Sequence, residues 1–453
     1  MKLNKKLLAT GILSATLIAG NAFGAVSAQE AAKLGDSLTP MGAEKAGNGG
    51  AIPAWDGGLT TPPAGYKNDG IYVNPFPNEE PKFTINQSNV DQYAENLSPG
   101  QVAMIKRYDE YVMPVYETHR SAAYPEQVMK DTVDNATSVE LIKNGNGLGN
   151  YQTATPFPIP QNGLEVIWNH ITRYRGGSVQ RNVGQVTPTE DGAFSVVKFQ
   201  DELTWKTYLE DYEAGQDPNV LFYFKQAITA PARLAGNVLL VHETIDQVEE
   251  PRRAWVYNAG QRRVRRAPQV AYDGPGTAAD GMRTSDNFDM FNGAPDRYNW
   301  ELVGKKEMYI PYNSYKLVDR SLDYDEIIKA GHINRNLTRY ELHRVWHVRA
   351  TLKDGERHIY AQRDFYIDED SWQAAVIDHY DGRGELWRVA EAHSMQFYDQ
   401  IVPWYAIETL YDLLSGRYLV LGLTNEESNP YEFGVDRMSR DYTPAALRRA
   451  GTR

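Results

Sequence analysis

The densest set of residues able to do chemistry lies between Tyr366 and Val389, in YIDEDSWQAAVIDHYDGRGELWRV. There Asp368, Glu369, Asp370, Asp378, Asp381 and Glu385 could hold a hard cation or serve as acid and base. A calcium loop of the EF-hand kind needs carboxylates at alternate positions, then a glycine, then a distal Glu. Counting from Asp368 puts Trp372 at the fifth position, and counting from Asp378 puts Tyr380 at the third, so the spacing fails from either start. Acids are common in hairpin connections, and the expectation is that these six occupy turns and the solvent face of a sheet.

Other chemical constellations are equally incomplete. His343 and His347 are four apart, which on a strand is about 13 Å and too far to share a metal. His242-Glu243 is followed by Asp246 where a zinc protease helix needs a second histidine. The chain has no G-x-S-x-G elbow and no P-loop, and Gly145 to Gly149 lacks both the dinucleotide spacing and a preceding strand. We therefore expect no catalytic residue, no metal site and no cofactor. A triad assembled from distant positions leaves no local trace, so a hydrolase stays open as a third reading.

Two features suit binding better than catalysis. In QRRVRRAP, Arg262 and Arg266 share one face of a strand while Arg263 and Arg265 share the other. One reading is an edge strand guarded by charge. The other places a pair at the rim of a cavity, where planar donors meet a phosphate or carboxylate headgroup or the acids from Asp273 to Asp289. The second feature is the long Gly/Asp segment from Asp273 to Arg297, which carries Met282, Phe288, Met290 and Phe291 and reads as a lid or docking loop.

The elements that must position these residues change character along the chain. From Leu34 to Pro81 the chain is rich in Gly, Pro and Asn and reads as an irregular arm lying on a scaffold. Ser98-Pro99-Gly100-Gln101 is a helix start with a capping box, and a second start is Ala123 to Glu126. From about Gln161 the period becomes two. RYELHRVWHVRATL alternates as a half-buried strand, and similar runs are Asn237 to Ile245, Arg253 to Asn258, Glu307 to Tyr312, His358 to Ile367, Ala374 to Tyr380, Glu385 to Ala392 and Tyr418 to Leu423. Their connections are short and Gly-bearing, so the C-terminal two-thirds is a large antiparallel meander. The fold class is mainly β with α (α+β). The organisation is 1–28 signal peptide, 29–160 irregular arm and helices, 161–423 antiparallel sheet and 424–453 C-terminal tail.

Lys2, Lys5 and Lys6, an apolar run from Leu7 to Gly20, and small residues ending Val26-Ser27-Ala28 fit a secretory signal cleaved after Ala28. The chain has no cysteine, so disulfides, thiolate ligands and lipoprotein acylation are all excluded. Export without cysteine points to the periplasm of a Gram-negative cell. Removing residues 1–28 leaves 44 basic against 59 acidic residues, a net −15, which argues against nucleic acid as a partner. The 29 Tyr, 13 Phe and 9 Trp suit ordinary strand packing and a lipid-contacting cleft alike.

Asp-x-x-Ser-Trp, a strand ending in Asp-x-Tyr-Asp-x-x-Gly and a following Leu resemble the hairpin of LolA/LolB-type outer-membrane lipoprotein-sorting proteins. LTPMGAEKAGNGGAIPAWDGG, PFPIPQNGLEVIWNHITRYRGG, APARLAGNVLLVHETIDQVEEPRRAWVYNAGQRRVRRAP, DMFNGAPDRYNWELVGKKEMYIPYNSY and YTPAALRR resemble a family of uncharacterised proteobacterial periplasmic proteins described as lipoprotein-sorting-protein-like. The resemblance spans nearly the whole chain after residue 28. It implies a curved antiparallel sheet folded into a LolA/LolB-like half-barrel, closed by helices over an apolar cavity, and company with RND-type exporters and outer-membrane proteins. The expected function is non-enzymatic carriage of a hydrophobic ligand: a lipid, an acylated protein or a sterol-like molecule. Candidate cleft residues are Trp255, Tyr257, Trp346 and Val348, with Arg263 and Arg265 at the rim and the loop from Gly274 to Arg297 as lid. The alternative is an assembly or secretion factor docking protein partners through the arm, without a ligand.

Overall fold

The structure is a computed structural model describing residues 25–267 and 272–451. Most of the expected signal segment, residues 1–24, lies outside the described residues. Sixteen strands form one sheet: β1 (Phe83–Ile85), β2 (Met113–Val115), β5 (Ser178–Val186), β6 (Val197–Trp205), β7 (Val220–Ala230), β8 (Val238–Thr244), β9 (Arg253–Asn258), β10 (Arg263–Arg266), β11 (Tyr298–Pro311), β12 (Tyr340–Leu352), β13 (Gln362–Asp368), β14 (Ala374–Tyr380), β15 (Leu386–Phe397), β16 (Val402–Asp412), β17 (Tyr418–Leu423) and β18 (Tyr431–Phe433). The short strands β3 (Glu140–Ile142) and β4 (Gly147–Gly149) pair separately. The helices are α1 (Ala28–Ala31), α2 (Pro99–Arg107), α3 (Glu126–Asn135), α4 (Gly163–Thr172), α5 (Tyr324–Ile327) and α6 (Pro444–Ala450).

The main path runs β11-β12-β13-β14-β15-β16-β17-β5-β6-β7-β8-β9-β10, antiparallel at every step. Seven of these pairings carry register shifts, and such bulges bend and twist strands. The two margins, β10 and β11, are not bonded to each other, so the sheet is an open half-barrel. Yet β10 and β11 are consecutive in sequence. Between them, residues 272–297 cross the open mouth, which gives a physical reason for the length of this connection.

Both faces of the sheet are covered. Ala390, Ala392, Leu419 and Leu421 turn inward to a core shared with α4, while Val389, Tyr418 and Val420 turn outward to one shared with α2. This is why β16 and β17 are buried along their whole length. Every residue of α4 except Leu164 is buried, the polar ones with partners, as where Asn169 bonds the backbone N–H and C=O of Phe157 at 2.9 and 2.7 Å, and the helix fills one end of the half-barrel beneath β11 and β12. Outside, α2 begins with the expected capping box, Ser98 Oγ accepting from Gln101 N at 3.0 Å. The far outer face, behind β8 and β9, is closed by α6 through Leu447 and by Tyr442.

The acidic stretch requires a correction. Asp381 lies in the β14–β15 turn and Glu385 closes it, and both meet solvent as expected. Asp368, Glu369, Asp370 and Asp378, however, are buried. The arm is the reason. Residues 38–58 lie across the β13–β14 turn, where Arg120 donates to both oxygens of Asp370 at 2.9 and 2.7 Å and Lys305 meets Glu369 at 2.7 Å. Trp372, at φ +56°, donates its indole N–H to Met41 O at 2.9 Å. Gly42 lets the arm seat this closely: at φ +94°, any Cβ there would lie 1.8 Å from Pro158 O. Asp378 accepts from Ser98 Oγ at 3.0 Å and Gly100 N at 2.9 Å, so it anchors the start of α2.

Candidate functional site: a cavity beneath the crossing segment

With α4 filling the β11–β13 end, an unfilled space of about 270 Å³ remains at the other end, between β7, β8, β9 and the crossing segment. Strand alternation decides its walls. Phe222, Phe224, Gln226 and Ile228 take every second position of β7, and Leu239, Val241 and Glu243 do the same on β8. Cross-strand register aligns one row, Arg181–Asp201–Gln226–Leu239–Val256–Arg265, on this inner face. The roof is Pro275, Gly276, Thr277, Arg283, Ser285, Phe288 and Asn292, with Phe288 4.7 Å from Phe224 between ring centres.

The roof is tied down by buried charge. Arg173, just past α4, reaches Asp289 Oδ1 at 2.6 Å and Gln373 Oε1 at 2.8 Å, and Arg175 pairs with the other Asp289 oxygen. Burial opposes ionisation of Asp289, but the Arg173 and Arg175 guanidiniums outweigh it and hold the carboxyl well below its ordinary range. His170 is pushed down to about 3 by burial and by Arg173, so it is neutral. Its Nδ1 accepts from Ala374 N at 3.0 Å, which leaves Nε2–H to donate to Asp289 O at 3.1 Å. A second tie is Asp286, which accepts from His358 Nε2 at 3.0 Å and Arg363 Nη1 at 2.9 Å. A third is Asn292, which donates to Glu243 Oε2 at 2.9 Å while Arg252 holds the same carboxylate.

Register separates the residues expected at the cleft. Trp255 and Tyr257 point to the outer face of β9, where Trp255 packs on His242 and Tyr257 lies beneath α6; it is their neighbour Val256 that faces the cavity. Trp346 and Val348 are inward but lie at the filled end. Trp346 stacks on Trp372 at 6.2 Å, and Val348 presses on Gly163, where a Cβ would meet it at 3.1 Å. Arg263 and Arg265 share the face of Val256 and are exposed on the edge strand beyond it. Of the four apolar residues on the crossing segment, Phe288 lines the cavity, whereas Met282, Met290 and Phe291 are buried in the inner core.

The β7 side chains Phe222, Phe224, Gln226 and Ile228 lie outside the residues expected at the cleft, although their alternation along Val220–Ala230 is a signal that finds them. Arg173, Arg175, Arg181 and Arg283 lie outside them too, and no local motif marks these four. One further cluster could converge on a cation: ligand atoms of His343, Asp368 and Asp370 lie within 4.8 Å of one another. Both Asp370 oxygens are already taken by Arg120, and Asp368 Oδ2 accepts from Ser371 N at 3.0 Å, so the cluster anchors the arm.

The fold and site define a β half-barrel with a small apolar cavity under a segment fastened from margin to margin. The chain belongs to the family described as Protein of unknown function (DUF1329), matched over residues 84–448. It is 68% identical, over all of both chains, to Uncharacterized protein PA3922 of Pseudomonas aeruginosa. Among solved structures it is similar to a domain from Vibrio parahaemolyticus described as that of an outer membrane lipoprotein-sorting protein (TM-score 0.43, 13% identity, covering 63% of this chain and 98% of that one). It is likewise similar to a DUF1329 family protein from Desulfovibrio piger (0.42, 13%, covering 60% and 92%) and a LolA superfamily protein from Nitrosomonas europaea (0.36, 14%, covering 60% and 93%). Among the described residues, no helix is long and apolar enough to cross a membrane.

Proposed function

We propose that this protein is a periplasmic carrier that binds a hydrophobic molecule in the cavity beneath residues 275–292 and hands it on without chemical change. The observation that supports this reading is the cavity itself, a space of about 270 Å³ walled mainly by Phe222, Phe224, Ile228, Leu239, Val241 and Phe288. An apolar chain placed there gains about 0.8 kcal/mol for each methylene removed from water. Arg263 and Arg265, exposed on the cavity face at the open margin, would steer an anionic ligand toward the cavity, and an RND-type exporter or an outer-membrane protein would be the donor or acceptor.

The alternative, protein docking through the arm, is less well supported. Met41, Ala43, Ile52 and Tyr72 are buried against the chain itself and Trp55, Leu59 and Phe76 are half-buried, which leaves Ile71, 37% exposed, as the large apolar side chain the arm offers to solvent. The discriminating experiment is native mass spectrometry of protein purified from periplasm without detergent, followed by solvent extraction. A reproducible extra mass that extracts as an apolar molecule is the expected result. A bare polypeptide mass, unchanged after incubation with envelope lipids, would transfer the assignment to the docking reading.

A further inference from the structure

Arg283 is the one arginine of the inner cluster that the protein leaves without a partner of its own among the described residues. It is only 6% exposed and lines the cavity, yet it forms no ion pair, its Nε has no hydrogen-bond partner, and its guanidinium rests 5.6 Å above the Phe288 ring. The acids near it are committed elsewhere or sit at longer range. Asp201 is paired with Arg181 at 3.2 Å and accepts from Gln226 at 3.0 Å, Asp289 is held by Arg173 and Arg175, and Glu243 by Arg252 and Asn292. Glu408 acts on Arg283 only through its field. Five guanidiniums, those of Arg173, Arg175, Arg181, Arg252 and Arg283, thus face four carboxyls, those of Asp201, Asp289, Glu243 and Glu408. Arginine keeps its proton in proteins, so a buried guanidinium facing an apolar space costs stability unless an anion meets it.

We infer that the ligand is a single-chain amphiphile bearing an oxyanion headgroup, with that headgroup on Arg283 and its chain against the Phe222, Phe224 and Leu239 wall. This rests on the carrier reading and narrows it. The cavity falls below the ~300–1,000 Å³ usual for drug-sized ligands, which suits one alkyl chain and not the several chains of an acylated protein. A carboxylate and a phosphate would each satisfy the planar donor fork.

Isothermal titration of the purified protein, freed of bound lipid on a hydrophobic resin, with dodecanoate, dodecyl phosphate and dodecan-1-ol below their aggregation limits tests the assignment. At least one of the two anions should bind about 10- to 100-fold tighter than the alcohol, the range of a charge-assisted contact. In Arg283→Met that preference should vanish while alcohol binding persists. The anion with the larger preference identifies the headgroup as carboxylate or phosphate. Equal binding of anions and alcohol by the unaltered protein overturns the role of Arg283 while leaving carriage intact, and this arm needs no variant to fold. Preference retained in Arg283→Met also overturns it. Binding of none of the three probes would bring down the carrier reading itself.

Discussion

Asp289 Oδ1 and Arg173 Nη2 stand 2.6 Å apart with both side chains sealed from solvent, and this contact joins the roof of the cavity to the helix that fills the other end of the half-barrel. The pair does not add net stability simply by being charged, since taking both ions out of water costs about as much as their attraction returns. Its effect is positional: the roof has one seat. Asp289→Asn would leave Arg173 and Arg175 without their shared counter-ion. The expected cost is about 3–5 kcal/mol, measurable as a lowered denaturant midpoint. Hydrogen exchange should show the amides of residues 282–292 losing protection before those of β13 to β16.

Glu408 gives the inner cluster a pH dependence. Burial first, and then Asp289, push its carboxyl up to about 7, against the pull of Arg283 and Arg181. A carboxyl whose pKa is raised in the folded state stabilises most when protonated in both states, so its contribution is complete below about 4.5 and is lost as pH rises through about 7. Glu408→Gln should flatten the stability profile between pH 5 and 8, with a gain on the order of 3 kcal/mol at the alkaline end. An unchanged slope in the variant would assign the dependence to another group.

The two faces of β8 and β9 should respond differently to substitution. Leu239 borders the cavity, so Leu239→Trp fills existing space. Copurifying or added ligand should be lost while the melting temperature moves by no more than about 3 °C. Tyr257 is buried on the other face beneath α6. Tyr257→Ala should cost about 3 kcal/mol and leave the ligand's identity unchanged in native mass spectra.

At Gly42 a methyl group meets Pro158 O at 1.8 Å in a backbone conformation that L-residues rarely adopt. Gly42→Ala should lift the arm, exposing residues 34–60 to limited proteolysis while the sheet resists. Fluorescence should shift as well, because Trp372 loses the carbonyl of Met41.

Much of the sheet was legible from alternation alone. Val238–Thr244, Arg253–Asn258, Ala374–Tyr380 and Tyr418–Leu423 fall where period-two runs flanked by Gly-bearing turns place them. Val402–Asp412 did not announce itself: it is buried on both faces, as Tyr418–Leu423 is, but the turn before it, residues 398–401, holds no glycine to mark where the strand begins. Ser178–Val186 was obscured by its interior glycine and polar residues, which are satisfied across the sheet by Asp201 and Thr204 of the next strand and by the backbone of Ala278, Asn429 and Val435. The cleft residues show how narrow the margin is. The strand Arg253–Asn258 lies where alternation puts it, but its aromatics face outward, and one step of register exchanges Trp255 and Tyr257 for Val256. The acids failed for a related reason: nothing local tells Asp370 that Arg120, 250 residues earlier, will cover it.

The connection from β10 to β11 also divides the labour of recognition along the gene. The cavity floor is written in residues 222–256 and its roof in residues 275–292, with two of the roof's three anchors, at Asp286 and Asp289, made to His358, Arg363, Arg173 and Arg175 outside the lining. Changes of length or side chain between the anchors at Asp286 and Asp289 and the margin strand β10 would alter the shape of the cavity while the sheet's pairing stays untouched. On the proposed carrier reading, one scaffold would in this way be retuned to many cargoes by variation in a few dozen codons.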